Sequence, residues 1–357
     1  MNTLFEGARL SAIHVAVIGA GSFGTALACV LATNGHQVTL LGRNADAMER
    51  LNRTHQNERY LPGVVIDSSI VATTDIKRVA SADVLVIVVP SHAMRETCRQ
   101  LRPYLSDTKI VVHATKGLEG GTCQRMSEVI QQEIDTLKIT QLAVLSGPSH
   151  AEELSRRLPT TLVASSYSRT TAEFVQDVLM NDALRVYTNP DVVGTEIGGA
   201  LKNIIALGCG ISDGLSYGDN AKAALMTRGL VEIARLGLRL GADFNTFSGL
   251  SGIGDLIVTC TSHHSRNWNA GFLLGQGWPL EDALAKVGMV VEGVKTTPSA
   301  LKLAAKCDVH LPIAEAIHRV LFEDKPPLEA VSDLMQRMRK HEVEEYVQET
   351  IAGWPYP

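Results

Sequence analysis

Ile13-His14-Val15-Ala16-Val17-Ile18-Gly19-Ala20-Gly21-Ser22-Phe23-Gly24-Thr25-Ala26-Leu27-Ala28-Cys29-Val30-Leu31 places an apolar β-branched run, a G-x-G-x-x-G spacing and a stretch of helix formers in unbroken succession. The spacing alone is weak evidence, but its position between a strand and a helix gives each glycine a task. The first permits the tight turn, the second lets the backbone approach a pyrophosphate, and the third lets the helix pack closely on the strand. The free N–H groups of the helix start then face the anion. Ser11 to Asn34 carries no acidic, Lys or Arg residue and is long enough to suggest a membrane span, yet Gly19, Gly21 and Gly24 interrupt it where a spanning helix needs continuity.

Working outward, further β-branched runs recur at Gln37–Leu41, Val84–Val89, Lys109–Val112 and Leu142–Leu145, separated by amphipathic spacers. That alternation predicts a parallel sheet covered on both faces. Beyond about residue 190 the strand signal fades, and 193–210, 219–240, 267–275, 294–306, 311–322 and 327–339 carry helical periodicity, with Asp219 or Asn220 placed to cap the second. The fold class is therefore α/β: an N-terminal Rossmann-type doubly wound parallel sheet (1–190), an all-helical C-terminal domain (191–340) and a tail (341–357) ending Trp354-Pro355-Tyr356-Pro357. The turn signal Asn189-Pro190-Asp191 sets the boundary. A chain of 357 residues with 45% hydrophobic and 20% charged residues supports two cores. Its net charge of -5, with no basic block, argues against nucleic acid or a membrane surface as partner. Six scattered cysteines without C-x-x-C spacing suit a reducing cytoplasm.

Ligands of doubly wound sheets bind beyond the carboxyl ends of the strands. There, after the second strand, Arg43 stands where an NAD-selective site has an acid. A guanidinium can pair with a 2′-phosphate, so NADP(H) is expected alongside NAD(H); a solvated surface arginine is the plain alternative. Lys116 follows the strand at Lys109–Val112, and Gly147 and Ser149 follow the one at Leu142–Leu145, Ser149 alone being readable as a helix cap. In the helical half, Lys202 is the only charged residue between Glu196 and Asp213, and Asp255 the only one between Phe244 and Ser265. An isolated ammonium and an isolated carboxylate in apolar surroundings are each costly unless they pair, and burial lowers a lysine pKa towards neutrality. Ser265-Arg266-Asn267 opens a helix with an arginine, an amide and free backbone donors, a composition suited to phosphate. No metal cluster is indicated, and adjacent His263 and His264 point in different directions on regular structure. Together these parts predict hydride delivery to a carbonyl carbon, a lysine that supplies the proton, and a cationic helix start that orients a small anionic substrate.

These motifs resemble the bacterial NAD(P)-dependent glycerol-3-phosphate dehydrogenases over nearly the whole chain. The likeness rests on Gly19–Gly24 with Thr25-Ala26-Leu27-Ala28, Thr115-Lys116-Gly117-Leu118-Glu119, Ser146-Gly147-Pro148-Ser149, Glu196 to Asn203, Gly252 to Leu256 with Ser265-Arg266-Asn267, and Val291-Glu292-Gly293. The resemblance implies interconversion of sn-glycerol 3-phosphate and dihydroxyacetone phosphate for phospholipid synthesis by a soluble homodimer. It implies Lys202 as proton acceptor in oxidation, and Lys116, Gly147, Ser149, Asp255, Ser265, Arg266 and Asn267 as substrate contacts. It further implies Ser22, Phe23, Arg43, Lys116, Ala151, Arg266, Val290 and Glu292 as nucleotide contacts; Ala151, Val290 and Glu292 rest on it alone. Two positions depart from the family: Phe23 replaces a frequent Trp, and His150 a commoner Phe, bringing either a group that titrates in the physiological range or a neutral packed ring. Alternative readings are a β-hydroxyacid or 6-phosphogluconate-type dehydrogenase, and a non-catalytic NADP sensor.

Overall fold

The computed structural model describes residues 12–105, 109–134 and 136–338. The tail at 341–357 lies outside them. In the first half the strands are β1 (His14–Ile18), β2 (Gln37–Leu41), β3 (Gln56–Asn57), β4 (Leu61–Val65), β5 (Val71–Thr73), β6 (Val84–Ile87), β7 (Ile110–His113), β8 (Leu142–Ser146), β9 (Thr160–Ser165) and β10 (Leu184–Asn189). Between them run α1 (Ser22–Thr33), α2 (Ala45–Thr54), α3 (Met94–Leu101), α4 (Met126–Glu133), α5 (Ala151–Ser155) and α6 (Arg169–Leu179).

Eight strands form one sheet in the order β10-β9-β8-β7-β6-β1-β2-β5, with β3 and β4 as a separate pair. Core residues on both faces of the sheet explain why β1 and β6 read as continuous apolar runs. The six strands from β8 to β5 are mutually parallel. The expectation of a wholly parallel sheet needs one amendment: β9 runs antiparallel to β8, and β10 follows β9 in parallel. The β8–β9 connection holds only the five-residue α5, with no full crossover helix, so the chain turns back. Because β2 and β6 flank β1 on opposite sides, the strand order reverses there, and doubly wound sheets bind ligands in the crevice at the carboxyl ends of such strands.

The second half is helical: α7 (Val192–Gly214), α8 (Gly218–Arg239), α9 (Phe244–Phe247), α10 (Asp255–Thr261), α11 (Arg266–Gly275), α12 (Leu280–Val287), α13 (Glu292–Lys306), α14 (Pro312–Phe322) and α15 (Pro327–Met335), with a π-turn at Leu250–Gly254 before α10. The short α9, α10 and α12 and the π-turn add to the six stretches expected. Asp219 and Asn220 do not cap α8; Tyr217 holds that position and Asp219 lies in the first turn.

Helix α7 is long and apolar enough to cross a membrane by composition, but 94% of that window is buried inside the protein. It is the axis of the helical core. Glycines bring α11 against it at backbone distance. A Cβ on Gly210 would lie 2.1 Å from the Trp268 carbonyl oxygen, one on Gly271 2.1 Å from that of Leu207, and one on Gly275 2.4 Å from that of Ile211.

Candidate active site

The glycine turn after β1 is built as its spacing requires. Gly19 has φ +118°, and a Cβ there would meet the Val88 carbonyl oxygen at 2.4 Å. At Gly24 it would lie 1.9 Å from the Gly19 carbonyl oxygen, which fixes α1 tightly on the turn. Gly21, between them, has nothing within 4 Å of the same position and is the N-cap of α1. That helix start has no side-chain cap and no acidic residue in its first turn, so its N–H groups and partial positive charge face open space that suits a pyrophosphate. Ser22 donates its hydroxyl to the Tyr60 carbonyl at 2.5 Å, and Phe23 packs against the sheet core. Arg43 is exposed just past β2, with no ion pair among the described residues.

Across the crevice, Lys116 and Lys202 converge on one carboxylate. Lys116 follows β7 and donates to Asp255 Oδ2 at 2.7 Å; Lys202 on α7 donates to Asp255 Oδ1 and, at 2.7 Å, to Thr259 Oγ1. Asp255 is 1% exposed and Lys202 5%. Two ammonium groups around one carboxylate leave an excess positive charge in a poorly hydrated site, and the buried lysine is the one that yields. Burial, opposed by Asp255 and aided by repulsion from Lys116, brings the Lys202 ammonium down to about 7. Burial alone would raise the Asp255 carboxyl, but the two lysines outweigh it and hold it below the ordinary carboxylate range. A lysine poised near neutrality beside a buried carboxylate can both give and take a proton.

Gly147, at φ +120°, turns the chain after β8. Its carbonyl accepts from Ser149 Oγ at 3.0 Å and from Lys116 Nζ at 3.4 Å, so Ser149 braces this turn and does not cap α5. His150 is the N-cap of α5, with Ala151 buried as its first residue. Burial lowers His150 below the ordinary imidazole range; its Nε2 lies 3.3 Å from the Val258 carbonyl, and its ring 5.6 Å from that of His264. Burial favours the neutral ring at His150. His263 instead meets Trp268 edge-on at 4.7 Å, so the adjacent histidines do diverge.

A second network adjoins Lys202. Asn267 donates to Asn203 Oδ1 at 2.9 Å and accepts the Gly293 N–H at 2.8 Å. Glu292, at the start of α13, accepts from Ser91 Oγ at 2.7 Å and Ser91 N at 3.2 Å, just beyond β6. Val290 is half-buried on the segment leading to α13. Ser265 caps α11 by accepting from Trp268 N at 3.2 Å. Of the Ser265-Arg266-Asn267 trio, only Arg266 has an exposed side chain; the other two are committed to internal hydrogen bonds.

Sequence reasoning passed over Thr259 and Ser91. Thr259 sits four residues after Asp255, on the same face of α10, and Ser91 follows β6 at the carboxyl edge that singled out Lys116. Both rules were sufficient to find them.

A dinucleotide cradle at the switch point of a doubly wound sheet, facing a lysine–carboxylate–lysine site on a buried helix, defines an NAD(P)-dependent dehydrogenase. Two family models match: that for the NAD-dependent glycerol-3-phosphate dehydrogenase N-terminus over residues 14–172, and that for the C-terminus over residues 191–332. The chain belongs to this family. It is 54% identical over 334 residues to glycerol-3-phosphate dehydrogenase [NAD(P)+] of Bacillus subtilis, covering 93% of this chain and 97% of that one. The protein of the same name from Shouchella clausii is 52% identical, covering 92% and 98%. Among solved structures, glycerol-3-phosphate dehydrogenase from Coxiella burnetii superposes with a TM-score of 0.88 at 37% identity, covering 91% of this chain and 99% of that one.

Proposed function

We propose that this chain catalyses the reversible NAD(P)H-dependent reduction of dihydroxyacetone phosphate to sn-glycerol 3-phosphate. The observation that carries the reading is the convergence of Lys116 and Lys202 on buried Asp255, beside the glycine cradle, with Lys202 titrating near neutrality. The reduced nicotinamide, when bound, supplies the hydride. Lys202 protonates the carbonyl oxygen in reduction and takes the hydroxyl proton in oxidation, while Asp255 keeps its ammonium in place. Lys116, Gly147 and Ser149 hold the reacting end of the substrate. Ser265, Arg266 and Asn267, with the backbone of the α11 start, grip its phosphate. Gly19, Gly21, Ser22, Phe23 and Gly24 form the pyrophosphate cradle; Arg43 reads the adenosine ribose end; Ala151, Val290 and Glu292, with Lys116 and Arg266, complete the nucleotide site.

The same reading divides the chain into a nucleotide unit (1–190), a catalytic helical unit (191–340) and a tail (341–357). It makes the protein a cytoplasmic homodimer that supplies glycerol 3-phosphate for phospholipid synthesis. The test is the near-ultraviolet absorbance of NADPH or NADH with dihydroxyacetone phosphate, and with unphosphorylated dihydroxyacetone as control. Oxidation that requires the phosphate supports the reading. Folded protein that binds nucleotide yet oxidises neither cofactor defeats it, as does equal turnover of the unphosphorylated ketone.

A further inference from the structure

Glu196 lies on α7 six residues before Lys202 and is 7% exposed, yet it takes no part in the chemistry above. Among the described residues, its side-chain partners come from the nucleotide half. Oε1 accepts the Ser127 N–H at 2.8 Å and lies 3.2 Å from His113 Nε2; Oε2 accepts from Ser127 Oγ and from Arg125 Nη1, each at 2.6 Å. These residues bracket one loop. His113 ends β7 three residues before Lys116, while Arg125 and Ser127 stand where the chain leaves the loop for α4. Leu118 and Arg125 bridge its neck in antiparallel register, and the Leu118 side chain enters the helical core. Thr115 adds a hydrogen bond to the Val89 carbonyl at 2.7 Å.

We infer that Glu196 is a positioning residue for the reaction, clamping both ends of the Lys116 loop to α7 so that Lys116 and Lys202 meet on Asp255. This rests on the proposed function. A carboxylate buried in this way is costly unless fully paired, and its pairing is spent on joining the two lysine-bearing segments. Burial would raise the Glu196 carboxyl, but His113, Arg125 and Ser127 outweigh it and hold it at about 2, so the clamp stays charged throughout the working range. Arg125 also pairs with Glu128 at 2.8 Å. The groups facing Lys202 are Asp255 and Cys260 on α10, Lys116 on the loop and His150 at the start of α5. Of these, Lys116 is the one whose place Glu196 fixes. A loosened loop carries the Lys116 charge away, removes its repulsion and strengthens the hold of Asp255 on the Lys202 proton.

The experiment compares the wild type with Glu196→Gln and Ser127→Ala in the oxidation of glycerol 3-phosphate across pH, with NADPH affinity measured in parallel. In Glu196→Gln the acid limb of the kcat profile moves up by about one pH unit. Oxidation at pH ~7 falls about fivefold and recovers by pH ~9, while NADPH affinity is unchanged. Ser127→Ala moves the limb the same way by less, and decides the matter alone if Glu196→Gln does not fold. A loss of kcat that pH does not restore, or a limb that stays in place, overturns the inference. Titration of 13C-labelled lysines by NMR, with Lys202 assigned through Lys202→Met, reads the same shift without turnover. If the wild type leaves dihydroxyacetone phosphate unreduced, the proposed function fails, and an upward shift of the Lys202 titration in Glu196→Gln still upholds the clamp.

Discussion

Asp255→Asn separates the electrostatic account of the site from a merely structural one. Among the described residues, Asp255 is the one anion that directly contacts Lys202 and Lys116. With its charge removed, Lys202 keeps the burial and the repulsion from Lys116 that push its proton off and loses the attraction that retains it. An opposite charge at contact distance moves a pKa by about 1–3 units; a loss of about two takes Lys202 from about 7 to about 5. The protonated fraction at pH 7 then falls from about one half to about one in a hundred, a roughly 50-fold fall in reduction rate that acid progressively restores. Two units correspond to about 3 kcal/mol, at the lower end of the roughly 3–5 kcal/mol cost of stripping one partner from a buried pair. The assay is the pH profile of dihydroxyacetone phosphate reduction at saturating NADPH, with nucleotide affinity as the check on folding. A variant whose limb stays near that of the wild type, or whose lost rate acid does not restore, refutes the reasoning.

Arg43→Ala should weaken NADPH by about tenfold or more and leave NADH nearly untouched, because the exposed guanidinium has a 2′-phosphate to meet only in the former; equal losses in titrations of the two cofactors would sink this role. Gly21→Ala should fold normally and lose nucleotide affinity, since its added methyl points into open space, whereas Gly24→Ala drives a methyl into the Gly19 carbonyl and should lower Tm as well. Nucleotide titration beside thermal melts distinguishes them, and wild-type affinity in Gly21→Ala argues against the cradle. Glu232 on α8 accepts the Ile313 and Ala314 N–H groups at the α14 start, and burial outweighs them to push its carboxyl up to about 7. The folded state therefore holds this proton more tightly than the unfolded chain does. That contribution is fully present below pH ~4.5 and is lost as pH rises through about 7, so the Tm of Glu232→Gln relative to wild type should climb between pH ~5 and ~8. A constant difference would exclude the titration.

What the sequence disclosed follows from where its physics is local. The β1 turn was legible because three glycines, a strand and a helix start act within about a dozen residues. Lys202 and Asp255 were legible because an isolated charge in an apolar run must be answered. The third member, Lys116, joins Asp255 across 139 residues, and no local pattern carries that pairing. Strand β10 alternates buried and exposed residues at the sheet edge and lacks the continuous apolar signature of β1 and β6. Helix α10 was obscured by Gly249, Gly252 and Gly254, whose π-turn reads as a loop although it sets Asp255 on the buried face of a helix. Ser265 and Asn267 read as phosphate ligands by composition; the internal hydrogen bonds of Asn267 depend on Asn203 and Gly293 far away in the chain, and no local pattern carries them.

The glycine seam between α7 and α11 has a mechanical consequence. Where Gly210, Gly271 and Gly275 bring α7 and α11 together, backbone meets backbone with no side chain between, which leaves little room for either helix to slide or rotate at the seam. Lys202 rides on one helix and Arg266 on the other. Under the proposed function, the proton source and the phosphate grip therefore ride on two helices held at a fixed separation, and that separation sets the length of substrate able to span them.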